Sequence, residues 1–216
     1  NGDEIIVEPG VYTGTGDVVV DMLGKTVLMH SSSGPENTII DGQNVRAGIR
    51  CITTGNATIQ GFTIRNGTGA DVQDNEGGFS SFGGGMEIIN ASPTILDCIF
   101  RSNFSLYGGG IHCFSSEFGI SRPTLQNCTF EDNLAYMGGV MRIYQSSPDL
   151  SNCTFSSNTS RVRGGGIHNF RSPTICTGCI FSQNTAGSWG GGWLNYESNP
   201  RFSGCVFRNN VANADS

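Results

Sequence analysis

The chain has 216 residues, 32 of them glycine and 7 proline, with 13 phenylalanines and a mean hydropathy of −0.16, which excludes collagen and a disordered chain and fits one folded domain. Only 14% of residues are charged and the net charge is −6, which leaves no basic surface to draw in a phosphate backbone and argues against nucleic acid as a partner. No apolar run reaches the roughly 18 residues of a membrane span.

In chain order, the opening NGDEIIVEPG lacks the basic and apolar regions of a signal peptide. Residues 1–82 then hold short strand-like runs, IIVEPGVY, KTVLMH, NTIIDGQ, AGIRCITTG and ATIQGFTIRNG, bounded by Gly, Asn and Asp. At ~25 residues per unit they amount to about three irregular coils. Residues 70–80, ADVQDNEGGFS, form an acidic insert. Asp71, Asp74 and Glu76 offer oxygen ligands of the kind Ca²⁺ takes, although neither the ligand order of a calcium-binding hand nor an RTX nonapeptide is present. A solvated loop is the other reading, and no cofactor is otherwise expected.

From residue 83 the chain repeats. Glycine corners begin at Gly83, Gly108, Gly138, Gly164 and Gly190, and a Cys-x-Phe pair recurs at Cys98/Phe100, Cys128/Phe130, Cys153/Phe155, Cys179/Phe181 and Cys205/Phe207. Asn103, Asn133, Asn158, Asn184 and Asn210 keep the same register, and one longer unit carries about five extra residues within SSEFGIS. Apolar and polar residues alternate in GGGIHCF and NCTF with the period of two that a half-buried strand requires. A unit of ~25 residues made of strands and turns cannot bury its own face, so successive units must stack in parallel. The predicted fold is a single all-β domain over 1–216: a parallel β-helix of about eight coils, near 38 Å long at ~4.8 Å per coil.

The F-x-x-N and GGG[IV] signatures of residues 83–216 resemble the repeats of polymorphic outer-membrane proteins, and GDEIIVEPGVY, PENTIIDGQ and IQGFTIRNG resemble the start of secreted right-handed β-helix proteins of the pectin-lyase-like superfamily. The resemblance implies a right-handed solenoid at an extracellular or cell-surface location. It does not choose among the activities that this architecture carries.

Five cysteines fall in one column whose residues stack at ~4.8 Å, longer than a disulfide prefers, and read as buried free thiols. Cys176-Thr177-Gly178-Cys179 has no second CxxC or suitably spaced histidine pair to support zinc. The asparagine column reads as a ladder of amides at a bend, each in left-handed conformation. If Ile111 and Cys113 point inward, two outward columns follow. One is Glu87, His112, Arg142, His168 and Leu194; the other is Ile89, Phe114, Tyr144, Phe170 and Tyr196.

The aromatic column offers stacking platforms for sugars, with Arg142 as the charge contact, or alternatively stacks on itself to stabilise the sheet. Two functions follow. The first is a structural or adhesive module that binds polysaccharide or a cell-surface glycan through Phe114, Tyr144, Phe170, Tyr196 and Arg142. The second is a lyase or glycoside hydrolase on an acidic polysaccharide, with Glu87, His112, Arg142 and His168 supplying base and cation. Against the second stands the lack of an Asp-Asp pair, an Asn-Thr-Asp or an Arg-x-Pro-x-x-Arg. Nine residues after Phe207 lies Ser216, where the next corner is due. The chain therefore reads as covalently continuous with further repeats.

Overall fold

A computed structural model describes residues 2–53, 55–73, 79–117 and 119–213, with the backbone alone described for 70–73, 79 and 80. Among the described residues there are strands and no helices. Each regular coil supplies four strands, as in Thr124–Gln126, Thr129–Glu131, Leu134–Met137 and Met141–Tyr144. Equivalent strands of successive coils pair in parallel and build four lengthwise sheets, the first and second of eight strands and the third and fourth of seven, the third ending in one antiparallel strand, Ala70–Gln73. The predicted β-helix of eight coils is the observed fold. Three first-sheet strands, Glu4–Val7, Leu28–Ser31 and Thr58–Gln60, open the three irregular coils, and third-sheet pairing begins only after them.

The core is built from columns of like residues. Phe100, Phe130, Phe155 and Phe181 are fully buried and stack face to face with centroids 4.5–5.0 Å apart. Beside them each column cysteine turns its thiol back to a carbonyl two residues earlier, from Cys98 to Leu96 at 3.2 Å through Cys153 to Ser151 at 3.3 Å. All eight cysteines are free. Burial raises the thiol of Cys98 above its ordinary range and pushes those of Cys51 and Cys113 up to about 12, while contacts with the neighbouring Cys128 and Cys179 thiols, and then burial, raise that of Cys153, which holds them as protonated apolar fillers. Cys205 is half-buried. In the native state a thiol reagent is therefore expected to label Cys205 while Cys98, Cys128, Cys153 and Cys179 react only after denaturation. Rapid native labelling of all five would contradict the columnar core.

The asparagine ladder is continuous. Each Nδ2 donates to the next Oδ1, from Asn103 to Asn133 (3.0 Å), Asn158 and Asn184 to Asn210 (2.9 Å). The same amides donate to a carbonyl of the preceding coil, such as Asn158 to Phe130 at 3.0 Å. The expected left-handed conformation falls one residue earlier, on Ser102, Asp132, Ser157, Gln183 and Asn209. The preceding residue absorbs the bend, which leaves the asparagine free to point inward to the ladder.

Two insertions depart from the repeat. The ends of the SSEFGIS segment are tied together, where Ser121 N–H donates to Ser115 Oγ at 2.7 Å. The acidic insert is drawn into an antiparallel hairpin, Ala70–Gln73 with Phe79–Phe82, at the edge of the third sheet. Asp74 and Glu76 lie outside the described residues, and Asp71 is described by its backbone alone.

Candidate functional site

The fourth sheet carries the site. In each of its strands two residues face the core, as Ile111 and Cys113 do with no exposure, and two face outward. Register pairs Arg50 with Glu87, then His112, Arg142, His168 and Leu194 in one outward column. Ile89, Phe114, Tyr144, Phe170 and Tyr196 form the other. Both columns stand where alternation places them.

Their exposure does not. Glu87, His112 and His168 are outward-facing yet only 5%, 4% and 3% exposed. The cause is a row at the edge of the third sheet, Phe82, Tyr107, Met137, Arg163 and Trp189, paired coil to coil. Each occupies the position just before a glycine corner. The first corner glycine takes φ near +70°, as Gly138 does, and bears no side chain to fill the bend. The row therefore comes down over the first column: the Phe82 and His112 rings are 4.8 Å apart and the Arg142 guanidinium sits 4.3 Å over Tyr107, while within the row that of Arg163 sits 4.7 Å over Trp189. This row is the part of the site that sequence reasoning missed. Its only signal is a large side chain before each corner, of a different type in every coil.

The aromatic column is also corrected in part. Tyr144 and Phe170 stack at 4.8 Å and Phe170 and Tyr196 at 5.3 Å, nearly parallel, with Phe114 tilted against Tyr144 at 5.5 Å. Ring faces are spent on one another, so along most of the column the rings present edges outward rather than platforms. Self-stacking, the alternative role, is what the geometry shows.

Between row and columns the fourth-sheet groove consists of two separate hollows. One, of about 260 Å³, is lined by Phe82, Glu87, Ile89, His112 and Phe114. The other, of about 350 Å³, includes Arg142, Arg163, His168 and Tyr196. A larger concavity of about 500 Å³ lies between Asp17, Arg46, Thr68 and Phe104. Its Arg46 already donates from Nε to Gly16 O and from a terminal nitrogen to Gln43 Oε1, so fewer of its donors face a ligand.

Electrostatics set the groove apart in an acidic chain. Glu87 is held by Arg50 at 3.1 Å, and burial raises its carboxyl above the usual range despite that partner. His112 is lowered to about 3 by burial and by Arg142, and His168 to about 4 by burial and by Arg142 and Arg163. Both imidazoles are neutral at pH 7. The Nε atoms of Arg142 and Arg163 and the Nδ1 atoms of His112 and His168 are buried without a hydrogen-bond partner, a costly arrangement unless something supplies one. Glu87 has no second carboxylate beside it in its column, where Arg50 separates it from Asp21. No metal-binding group of three His, Cys, Asp or Glu occurs among the described residues.

The histidines give the fold a pH dependence of definite sign. Folded values lie below the unfolded one, so full stability holds above pH ~6.5 and is lost as pH falls toward the folded values. Between pH 6.5 and 5 each histidine is expected to remove about 2 kcal/mol. Glu87 acts in the opposite sense, its contribution lost as pH rises through its folded value. Denaturation of wild type and of the His112→Gln/His168→Gln variant at pH 7 and 5 isolates the histidines. An equal loss in both proteins would show that these residues are solvated.

The family comparison agrees with the observed fold over the residues it matches. Residues 119–214 match the family model described as right handed beta helix region, which gives the winding its hand. Among solved structures, a pectin methylesterase from Aspergillus niger aligns at 12% identity over 100% of this chain and 79% of that chain, with a TM-score of 0.43. No curated protein matches the chain.

Proposed function

We propose that this chain is a β-helical binding module of an extracellular or cell-surface protein, and that the fourth-sheet groove holds an extended acidic polysaccharide along the helix axis. One observation carries the reading: four buried nitrogens, on Arg142, Arg163, His112 and His168, lack partners in the two hollows of the fourth-sheet groove, in a chain with net charge −6. A polymer bearing carboxylates or sulfates on successive sugars supplies acceptors at intervals, and hydroxyls supply the rest. The Arg142 and Arg163 guanidinium groups sit over the Tyr107 and Trp189 rings, a placement that fixes the direction of their donors as an ammonium would not.

Affinity electrophoresis through gels of polygalacturonate, with a neutral glucan as control, tests the reading. Wild type is expected to be retarded by the acidic polymer alone, and Arg142→Gln/Arg163→Gln to lose about tenfold or more of that retention, the loss of roughly one charge-assisted hydrogen bond. Equal retention of wild type and variant would refute the site. Tyr144→Ala/Phe170→Ala is a poor test of binding, because removing two stacked rings also costs stability. If wild type shortens the polymer or releases unsaturated products, the chain is an enzyme and Glu87→Gln becomes the first variant to make.

A further inference from the structure

We propose that the pocket between Arg142, Arg163 and His168 captures one compact oxyanion, a carboxylate or sulfate ester on the glycan, and that His168 takes up a proton as the anion enters. The proposal rests on the reading above and adds the chemistry of a single subsite and its coupling to pH. Three observations support it. His168 is 3% exposed, lines the pocket, and keeps an unpartnered Nδ1. Arg142 and Arg163 line the same pocket, each with an unpartnered buried Nε, and neither forms an ion pair among the described residues. The acid on the pocket wall, Glu197, is already held by Arg171 at 2.6 Å.

The charged and titratable groups facing His168 are Arg142 from the adjacent fourth-sheet strand and Arg163 from the edge of the third sheet, with Arg171, Glu197, Tyr144 and Tyr196 around the pocket and Leu194 on the other side. Burial, and then the two guanidinium charges, keep the imidazole neutral. An anion seated between them cancels the repulsion and accepts a hydrogen bond from the imidazolium, so binding and protonation strengthen each other by linkage. Affinity is therefore expected to rise as pH falls from 7 to 5.

Sulfate, whose charge is constant over that range, is the probe. The chain has only three histidines, so NMR titration of His168, assigned by its absence in His168→Gln, reads the coupling directly. Sulfate at constant ionic strength against chloride is expected to raise the His168 midpoint from about 4 by about one unit, a tenfold coupling. Arg163→Gln should abolish the rise. Sulfate affinity in wild type should rise about twofold between pH 7 and 5 and stay flat in His168→Gln. An unmoved His168 midpoint, or one that rises equally in Arg163→Gln, overturns the pocket. If polygalacturonate is retained while sulfate leaves His168 unmoved, the groove reading survives and this subsite falls; if sulfate shifts His168 but no polymer is retained, the subsite stands without the glycan.

Discussion

Replacing Asn158 by alanine is expected to destabilise the protein by roughly 3–6 kcal/mol, since the truncation strands several buried polar groups at ~1–3 kcal/mol each. Asn158 Oδ1 accepts the backbone N–H of Asn133 at 2.9 Å and its Nδ2 at 3.0 Å, while Asn158 Nδ2 donates to Phe130 O at 3.0 Å and Asn184 Oδ1 at 2.9 Å. All of these atoms sit in a column with no access to water, as Asn133, Asn158 and Asn184 are each at most 1% exposed. Asn158→Asp sharpens the test: it keeps the acceptor for Asn133 but turns an oxygen toward Phe130 O and Asn184 Oδ1. It should be at least as damaging despite its identical shape, because a buried carboxylate without a donor is costly. Denaturant midpoints of the two variants decide the matter, and an Asn158→Asp variant as stable as wild type would mean that water enters the ladder.

Gly139→Ala is expected to cost about 4 kcal/mol or more, in the tail of single-substitution effects. A Cβ there would stand 2.1 Å from Gly165 O and 2.6 Å from Thr159 O. Both are backbone atoms of the next coil, so no rotamer change relieves the clash and two coils must separate. Gly139 has an ordinary φ, unlike its neighbour Gly138 at +70°. Close approach of coils, rather than turn conformation, is what excludes a side chain. Gly16, with open space around its Cβ position, provides the control: Gly16→Ala should leave the denaturation midpoint within ~0.5 kcal/mol of wild type. Similar midpoints for the two variants would remove close coil approach as the reason for the middle glycine.

Most of the fold was legible in the sequence because a solenoid writes its core as columns. Phe100 to Phe207, Cys98 to Cys205 and Asn103 to Asn210 recur at coil spacing, and each column occupies one place in cross-section. The outward columns of the fourth sheet were legible for the same reason. Their burial was not, because it depends on Phe82, Tyr107, Met137, Arg163 and Trp189, which share a position but no chemistry. Nor was the self-stacking of Tyr144, Phe170 and Tyr196 decided, since the same side chains serve a sugar or one another equally well in sequence. The left-handed residues escaped for a further reason: Ser102, Asp132 and Gln183 adopt a conformation that their identities do not announce.

Chemical-shift mapping with a galacturonate oligomer tests most directly whether the fourth-sheet groove holds the proposed acidic glycan. The imidazoles of His112 and His168 and the indole of Trp189 are expected to shift on addition of the oligomer, while the amides of Asn133 and Asn158 inside the coil and of Arg101 and Glu131 on the second sheet stay in place. Shifts centred on the second sheet, or none in the two imidazoles at concentrations that retard the protein in polygalacturonate gels, would contradict it.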